Sequence, residues 1–356
     1  KIIFTAIIFF YDSIVLFFSK FIFNKKHSSS ILIANLGALG DMIIFINNLE
    51  IFTKDLNNKV TIMVDKKFEP LFDKERFNIL SIKSNKYLKN PFYRLKTNLR
   101  FSKYSFDLIA NVRGSRNLIY EDSILRFING HKVCLYSDTF SNARVWFKVF
   151  DPFIFNKIYK YNIEENFHEI ERSTIIFNKI FNLKKEPKIL NLKNYFSQIF
   201  EIKNKKNAYC VINVGAGEPE KKWDIDNFIK LGNQIFHKYK LTPIYLGDKE
   251  DYRAILNSEI SISSNSYNLC GKTDLSEYIN MIYNCEFAIC NDSSSIHLSV
   301  FLDRKAVCIK SLFAEHWYPY PKSLNKEKWG LISDSHLNNI SVNSVFKFIN
   351  NFYNNT

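Results

Sequence analysis

The stretch Ile289–Leu302, ICNDSSSIHLSVFL, begins apolar, breaks into Asp292, three serines and an Ile-His step ending at His297, then turns apolar again. Such a pattern predicts a buried strand, a polar turn and a helix, the repeating unit of parallel α/β sheets. Two readings of the turn are open. In one, Asp292 or Ser293 is a plain N-cap. In the other, the turn is a cradle in which an anionic ligand meets the first free amides of the helix.

The same alternation runs outward in both directions. Strand-like runs fall at 31–35, 60–64, 106–112 and 132–136, and a second series falls at 209–215, 242–247, 286–290 and 305–309. Helical periodicity occupies 42–54, 224–239, 274–284 and 293–302. The charged segment 184–207 carries little strand pattern and reads as a connection. These signals predict an α/β protein of two Rossmann-like domains with parallel sheets, residues 28–200 and 201–356, preceded by an apolar helix over 1–27. Ligands in such sheets bind beyond the carboxyl ends of the strands, so the turns after the strands carry the functional expectations.

At 356 residues the chain is long enough for two cores, and its 46% hydrophobic and 24% charged residues are ordinary for globular proteins. The net charge of +14 comes from scattered Lys and Arg with no basic arm and no zinc motif, which argues against a nucleic-acid partner. It fits an anionic membrane surface or a phosphorylated ligand instead. The six cysteines form no CxxC pair, and Cys210, Cys290 and Cys308 lie inside apolar runs, so a reducing, cytoplasmic setting is expected.

In the opening segment, Thr5, Asp12 and Ser19 recur every seven residues, with Ser13 and Lys20 beside them. They share one narrow helical stripe surrounded by Ile and Phe. This predicts a helix lying in a membrane interface, with Lys20, Lys25 and Lys26 near anionic headgroups; a core helix of the soluble domain is the alternative.

After the first strand, Gly37 and Gly40 allow a tight turn, and Asp41 stands at the start of the next helix, as cap or as proton acceptor. In the second half, Gly215, Ala216 and Gly217 bring backbone close to a ligand, with Lys221 and Lys222 placed to reach a phosphate. The acids at 224–226 suit a helix start better than a metal, and none is assigned. Gly247 is followed by Asp248, Glu250 and Asp251, any of which is a carboxylate for a ribose hydroxyl or simply a first-turn acid. Ser293, Ser294, Ser295 and His297 supply hydroxyls and a ring N–H at the cradle, the reading favoured once the other turns are counted with it. Arg113 and Arg116 follow a first-half strand, where they either meet an anionic acceptor or form a solvated basic turn. The aromatic stretch HWYPYP, 316–321, is a further sugar-contacting candidate or a packed loop.

Taken in order, ILIANLGALGDMI, FDLIANVRGS, HEIERS, VGAGEPEKKW, LCGKTDLSEYINMI, NDSSSIHLS and WYPYP resemble glycosyltransferase family 9, the heptosyltransferase-like enzymes of bacterial lipopolysaccharide assembly. The resemblance covers residues 31 to about 321. It implies a GT-B fold with two facing Rossmann-like domains, acceptor on the first and nucleotide-sugar on the second. It implies Asp41 as general base, with Gly40, Arg113 and Arg116 on the acceptor side. Gly215, Ala216, Lys222, Glu250, Asp292, Ser293, Ser294, Ser295 and His297 fall to the donor, with Ser294 standing where the family usually has Gly. The function implied is inverting, metal-independent transfer of a sugar, heptose or a relative, from an ADP-linked or other nucleotide-diphosphate donor to lipopolysaccharide or another lipid-linked surface glycan. No cofactor is expected, and the location implied is peripheral, on the inner face of the cytoplasmic membrane. Two alternatives stay open: a noncatalytic nucleotide-sugar-binding protein, and a sugar-nucleotide epimerase of the same fold.

Overall fold

The protein is described here by a computed structural model covering residues 2–22, 26–54, 60–114, 116–135, 150–159, 168–196, 208–311 and 328–354. It forms two compact units, Lys1–Lys188 and Ile189–Thr356, and the division falls inside the charged segment 184–207. The aromatic stretch 316–321 lies outside the described residues, as does Lys25.

The first unit is built on β1 (Lys26–Ala34), β2 (Val60–Asp65), β3 (Phe77–Ile82), β4 (Tyr104–Asn111), β5 (Asn129–Leu135) and β6 (Lys157–Tyr159), ordered β3-β2-β1-β4-β5-β6. The second uses β7 (Tyr209–Asn213), β8 (Thr242–Leu246), β9 (Tyr267–Asn268), β10 (Ala288–Asn291), β11 (Ala306–Ser311) and β12 (Trp329–Asp334), ordered β12-β11-β10-β7-β8-β9. All pairings are parallel. Counted from its own first strand, each sheet has the doubly wound order 3-2-1-4-5-6. The order reverses between β1 and β4 in one unit and between β7 and β10 in the other. A ligand crevice is expected at those two places.

The strands adjoining these points are buried apolar runs because helices cover both faces. Every residue of β2 and of β10 is buried. Val15, Leu32, Met63, Ile109 and Ile124 belong to the core of the first unit, and Ile212, Phe228, Ile289, Val307 and Val345 to that of the second. The six cysteines are free and buried, as expected of small hydrophobes.

The first helix, α1 (Ile2–Ile22), differs from expectation in which way it faces. Asp12 and Ser19 of its polar stripe are buried in the protein. Asp12 is fully buried and takes hydrogen bonds from Arg94 Nε at 2.9 Å and Asn98 Nδ2 at 3.0 Å, and from Arg94 Nη2 and Ser123 Oγ. Arg94 and Asn98 belong to α4 (Pro91–Phe101) and Ser123 to α5 (Glu121–Phe127). Ser13 Oγ accepts from Arg126 of α5 at 2.8 Å. A carboxylate this deep survives only when paired and fully hydrogen-bonded, so the stripe turns inward. The apolar side chains are left outside: Ile7, Phe10, Ile14, Phe17 and Phe18 are exposed, Phe10 by 68%. Among the described residues no helix is long and apolar enough to cross a membrane.

Candidate functional site

In the first unit, β1 runs out at Ala34 and the chain turns through Asn35–Ala38 into α2 (Leu39–Thr53). Asn35 Oδ1 accepts from Gly37 N at 3.0 Å, fixing the turn. Asp41, the third residue of α2, reaches back so that Oδ2 accepts from Ala38 N at 2.8 Å. This half of a capping box satisfies one free amide and holds the carboxylate still. Gly37 is required by closeness: a Cβ built there would lie 2.3 Å from Asp41 Oδ2. Arg113 Nε lies 3.9 Å from Asp41 Oδ2, beyond hydrogen-bond reach. Gly40 sits beside it in the first turn. Asp41 is therefore both cap and available carboxylate.

Arg113 follows β4, across the switch point. Its Nη1 donates to Glu121 Oε1 at 2.9 Å. Burial opposes the guanidinium charge, but Glu121 and Asp41 more than offset it and hold its pKa above the ordinary value. Arg116 corrects the sequence expectation of an acceptor contact. Its side chain is fully buried, with Nη1 2.9 Å from Asp122 Oδ2 and Nη1 3.1 Å from Asp151 Oδ1, so it serves the interior of the unit. Two buried acids claim the guanidinium before any ligand does.

The structure adds a residue that the sequence reading passed over. The segment HEIERS starts α6 (Glu169–Phe181). His168 is the N-cap, its Nδ1 accepting from Ile170 N at 3.2 Å, and Glu171 Oε2 accepts from His168 N at 2.6 Å. With capping done by His168 and Glu171, Glu169 turns into the protein, where it lines one pocket with Asn35, Asp41, Arg113 and Ser173. Burial, and then the charge of Asp41, push its carboxyl up to about 7. Three acids or bases in four residues, only two of them needed at a helix start, was the available signal.

In the second unit, Asn213 at the end of β7 and Asn291 at the end of β10 tie the turns together. Asn213 Nδ2 donates to Gly215 O at 3.0 Å and to Ser293 Oγ at 3.2 Å, while Tyr278 Oη donates to its Oδ1 at 3.2 Å. Asn291 Oδ1 accepts from Trp223 N at 2.9 Å, and its Nδ2 donates to Val214 O at 2.8 Å. Trp223 is buried and anchored through Nε1 to Ile340 O at 3.0 Å. Lys222 is thus presented from a pinned loop.

Lys222 Nζ lies 2.7 Å from Asp251 Oδ1. Burial works against its charge, but the Asp251 hydrogen bond and carboxylate hold its pKa above the usual lysine value. Asp251 is in the first turn of α8 (Lys249–Asn257), beneath Asp248, which caps the helix by accepting from Glu250 N and Asp251 N. It packs where a Cβ on Gly215 or Gly247 would come within 2.9 Å or 2.5 Å of Oδ2. Glu250, by contrast, is exposed. Of the acids after Gly247, Asp251 is the one built into the turn.

The opening stretch divides as the pattern suggested, into β10, a turn and α10 (Ser294–Phe301). Ser293 occupies the N-cap position but its side chain makes no capping bond; its Oγ pairs with Ser295 Oγ at 2.8 Å. Ser294 lies within the helix, and among the described residues the non-glycine positions with positive φ are Asn182, Lys240 and Asp303, so Ser in place of the family's Gly costs no backbone strain there. Asp292 Oδ2 is 3.5 Å from Lys310 Nζ, and His297 is buried in the first helical turn. The Asn213 link joins Gly215, Ser293 and Ser295 in one cluster, with Ala216 adjoining. Of the acids at 224–226, Asp224 is the cap, accepting from Asp226 N at 2.8 Å at the start of α7 (Ile225–Tyr239), while Asp226 accepts from Ser258 Oγ at 2.6 Å.

Comparisons with known proteins agree with the fold. The model of glycosyltransferase family 9 (heptosyltransferase) matches residues 144–336. Lipopolysaccharide heptosyltransferase 1 of Campylobacter coli is 24% identical over 322 residues, covering 83% of this chain and 88% of that protein. E. coli heptosyltransferase WaaC, solved with ADP, superposes with a TM-score of 0.69 at 13% identity, covering 91% of this chain and 99% of that one. E. coli ADP-heptose lps heptosyltransferase II gives 0.62 at 16% identity, covering 91% and 98%. The fold is GT-B.

Proposed function

The chain belongs to glycosyltransferase family 9 and is a glycosyltransferase; on that premise we propose that it moves a heptose from an ADP-linked donor to a lipopolysaccharide acceptor, with inversion and without a metal. The observation that carries the reading is the Asp41 carboxylate, fixed by Ala38 N–H through one oxygen and held off Arg113. In the proposed step the acceptor O–H breaks and its proton passes to Asp41. The acceptor oxygen bonds to the anomeric carbon as the bond from that carbon to the donor phosphate oxygen breaks. General-base help of this kind is typically worth 10²–10⁴-fold. The nucleoside diphosphate leaves with added negative charge, which the reading assigns to Lys222, His297 and the amides at 293–295. Ligand names among the relatives, WaaC with ADP and an ADP-heptose enzyme, support adenine as the base. The test is transfer from ADP-heptose to heptose-free lipopolysaccharide in the presence of EDTA. Product with inverted anomeric configuration is expected, and release of heptose or ADP without any glycosylated acceptor would overturn the assignment.

The reading includes a membrane partner. The acceptor class is lipid-linked, and α1 presents Ile7, Phe10, Ile14, Phe17 and Phe18 outward on a chain of net charge +14. A helix held by its polar stripe and apolar outside suits the interfacial zone of an anionic bilayer, here the inner face of the cytoplasmic membrane. Co-sedimentation with phosphatidylglycerol-containing vesicles checks this. Phe10→Ser with Phe17→Ser should release the protein, and full retention by both neutral and anionic vesicles would remove α1 from the role.

A further inference from the structure

We propose that Glu169 is a positioning residue whose carboxylate keeps Asp41 basic enough to take the acceptor proton in a pocket that also holds Arg113. This rests on the reading of Asp41 as the base.

The need arises from Arg113. Its Nε stands 3.9 Å from Asp41 Oδ2 and has no hydrogen-bond partner among the described residues. A guanidinium at that distance stabilises a carboxylate and so makes it a poorer proton acceptor. Something must limit the effect if Asp41 is to work. Glu121 does part of it by drawing Arg113 Nη1 away to 2.9 Å. Glu169 is the other negative group within the same pocket.

Among the described residues, capping of the helix does not require Glu169 to be acidic. The helix start is capped by His168 and Glu171. Its ion pair with Arg172, one turn on, is long at 3.8 Å. Yet the backbone makes room for the carboxyl: a Cβ on Gly114 would lie 2.8 Å from Glu169 Oε1, and the Gly114 N–H donates to the carboxyl. Burying a second carboxyl beside the first is costly, and the cost falls where it raises the proton affinity of its neighbour. The charged groups facing Glu169 are Asp41 from α2, Arg113 from the turn after β4, and Arg172 from α6 itself, with Glu121 of α5 acting through Arg113.

Because Glu169 protonates near neutrality, the device has a distinct signature. As pH rises through about 7, Glu169 ionises, Asp41 becomes a stronger base, and turnover steps upward. Rates of transfer from ADP-heptose to heptose-free lipopolysaccharide would be measured between pH 5 and pH 9 for the wild type, Glu169→Gln, Glu169→Asp and Asp41→Asn. The wild-type step should vanish in Glu169→Gln, with kcat above it lower by about tenfold, the equivalent of one unit of lost basicity. Glu169→Asp should keep the step. A Glu169→Gln profile that retains the step, or is lowered equally at every pH, overturns the proposal and reduces Glu169 to packing. Asp41→Asn turnover near the wild-type rate sinks the underlying reading instead, so the two failures are separable. A second arm needs no turnover. In protein carrying ¹³C-carboxyl glutamate, the resonance lost in Glu169→Gln should titrate near 7, and at clearly lower pH in Asp41→Asn, where the like charge is gone. An unmoved midpoint breaks the coupling.

Discussion

The turn Leu36–Asp41, LGALGD, and the turn Leu246–Asp251, LGDKED, are built alike. Each follows a strand paired on both sides, each places glycine four residues before an aspartate, and each aspartate accepts from the backbone N–H three residues earlier at 2.8 Å. In each, a Cβ on the glycine would collide with Oδ2, at 2.3 Å and 2.5 Å. What separates them is the cation. Lys222 closes on Asp251 at 2.7 Å, whereas Arg113 is kept 3.9 Å from Asp41. One local design therefore yields a neutralised anchor in the second unit and an available carboxylate in the first. The cap sets where the carboxylate sits. The neighbouring charge sets what it can do.

Asparagine substitution tests that division most strongly. Asp41→Asn can still accept from Ala38 N, so the fold should persist while kcat falls by about 10²–10⁴-fold; Asp251→Asn should leave kcat within a few-fold. Comparable losses of kcat in both variants would erase the contrast. Next comes pH. Glu169 has a folded-state carboxyl at about 7 against an ordinary 4.5, so its protonated form favours the native state. That stability is fully present below 4.5 and is lost as pH rises through about 7, a total on the order of 3 kcal/mol. Denaturant unfolding at pH 5 and pH 8 should show the loss in the wild type and a smaller one in Glu169→Gln. A third test removes the cation: Lys222→Ala should weaken ADP binding by about 10–100-fold in calorimetry, in line with a charge-assisted hydrogen bond, with little change in the pH profile of turnover. The smallest effect belongs to the glycines. Gly37→Ala and Gly247→Ala each should cost about 1–3 kcal/mol of stability by overpacking, and only Gly37→Ala should also lower kcat. Equal kcat in the two would mean Asp41 tolerates displacement.

Eight strands were legible in the sequence and lie near their expected positions; β3, β6, β9 and β12 were not. These four are the edges of the two sheets. An edge strand is flanked on one side only, and β3 is buried only at its two ends, Phe77 and Ile82, where β2 is buried throughout. A continuous apolar run, the signal used for the others, is absent where covering is partial. The helix starts were legible for a local reason: Asp224, Asp248 and Asp274 each accept from amides two or three residues ahead. Glu169, Arg116 and Asp251 were harder. Each is a charged residue whose meaning depends on partners such as Asp41, Asp151 and Lys222, distant along the chain, and spacing carries no such information.

The same limit appears in α1. Its seven-residue polar stripe was plain, but the direction it faces was not, since Asp12 meets Arg94 and Asn98 more than eighty positions away. By itself, then, the sequence determined the alternation of strands and helices, the turns that follow them and the caps that begin the helices, because hydrophobic period and first-turn hydrogen bonds act over a few residues. Only the tertiary structure decided which carboxylates are paired, which are buried and which remain available, because charge and burial are set by whatever the fold brings within a few ångströms.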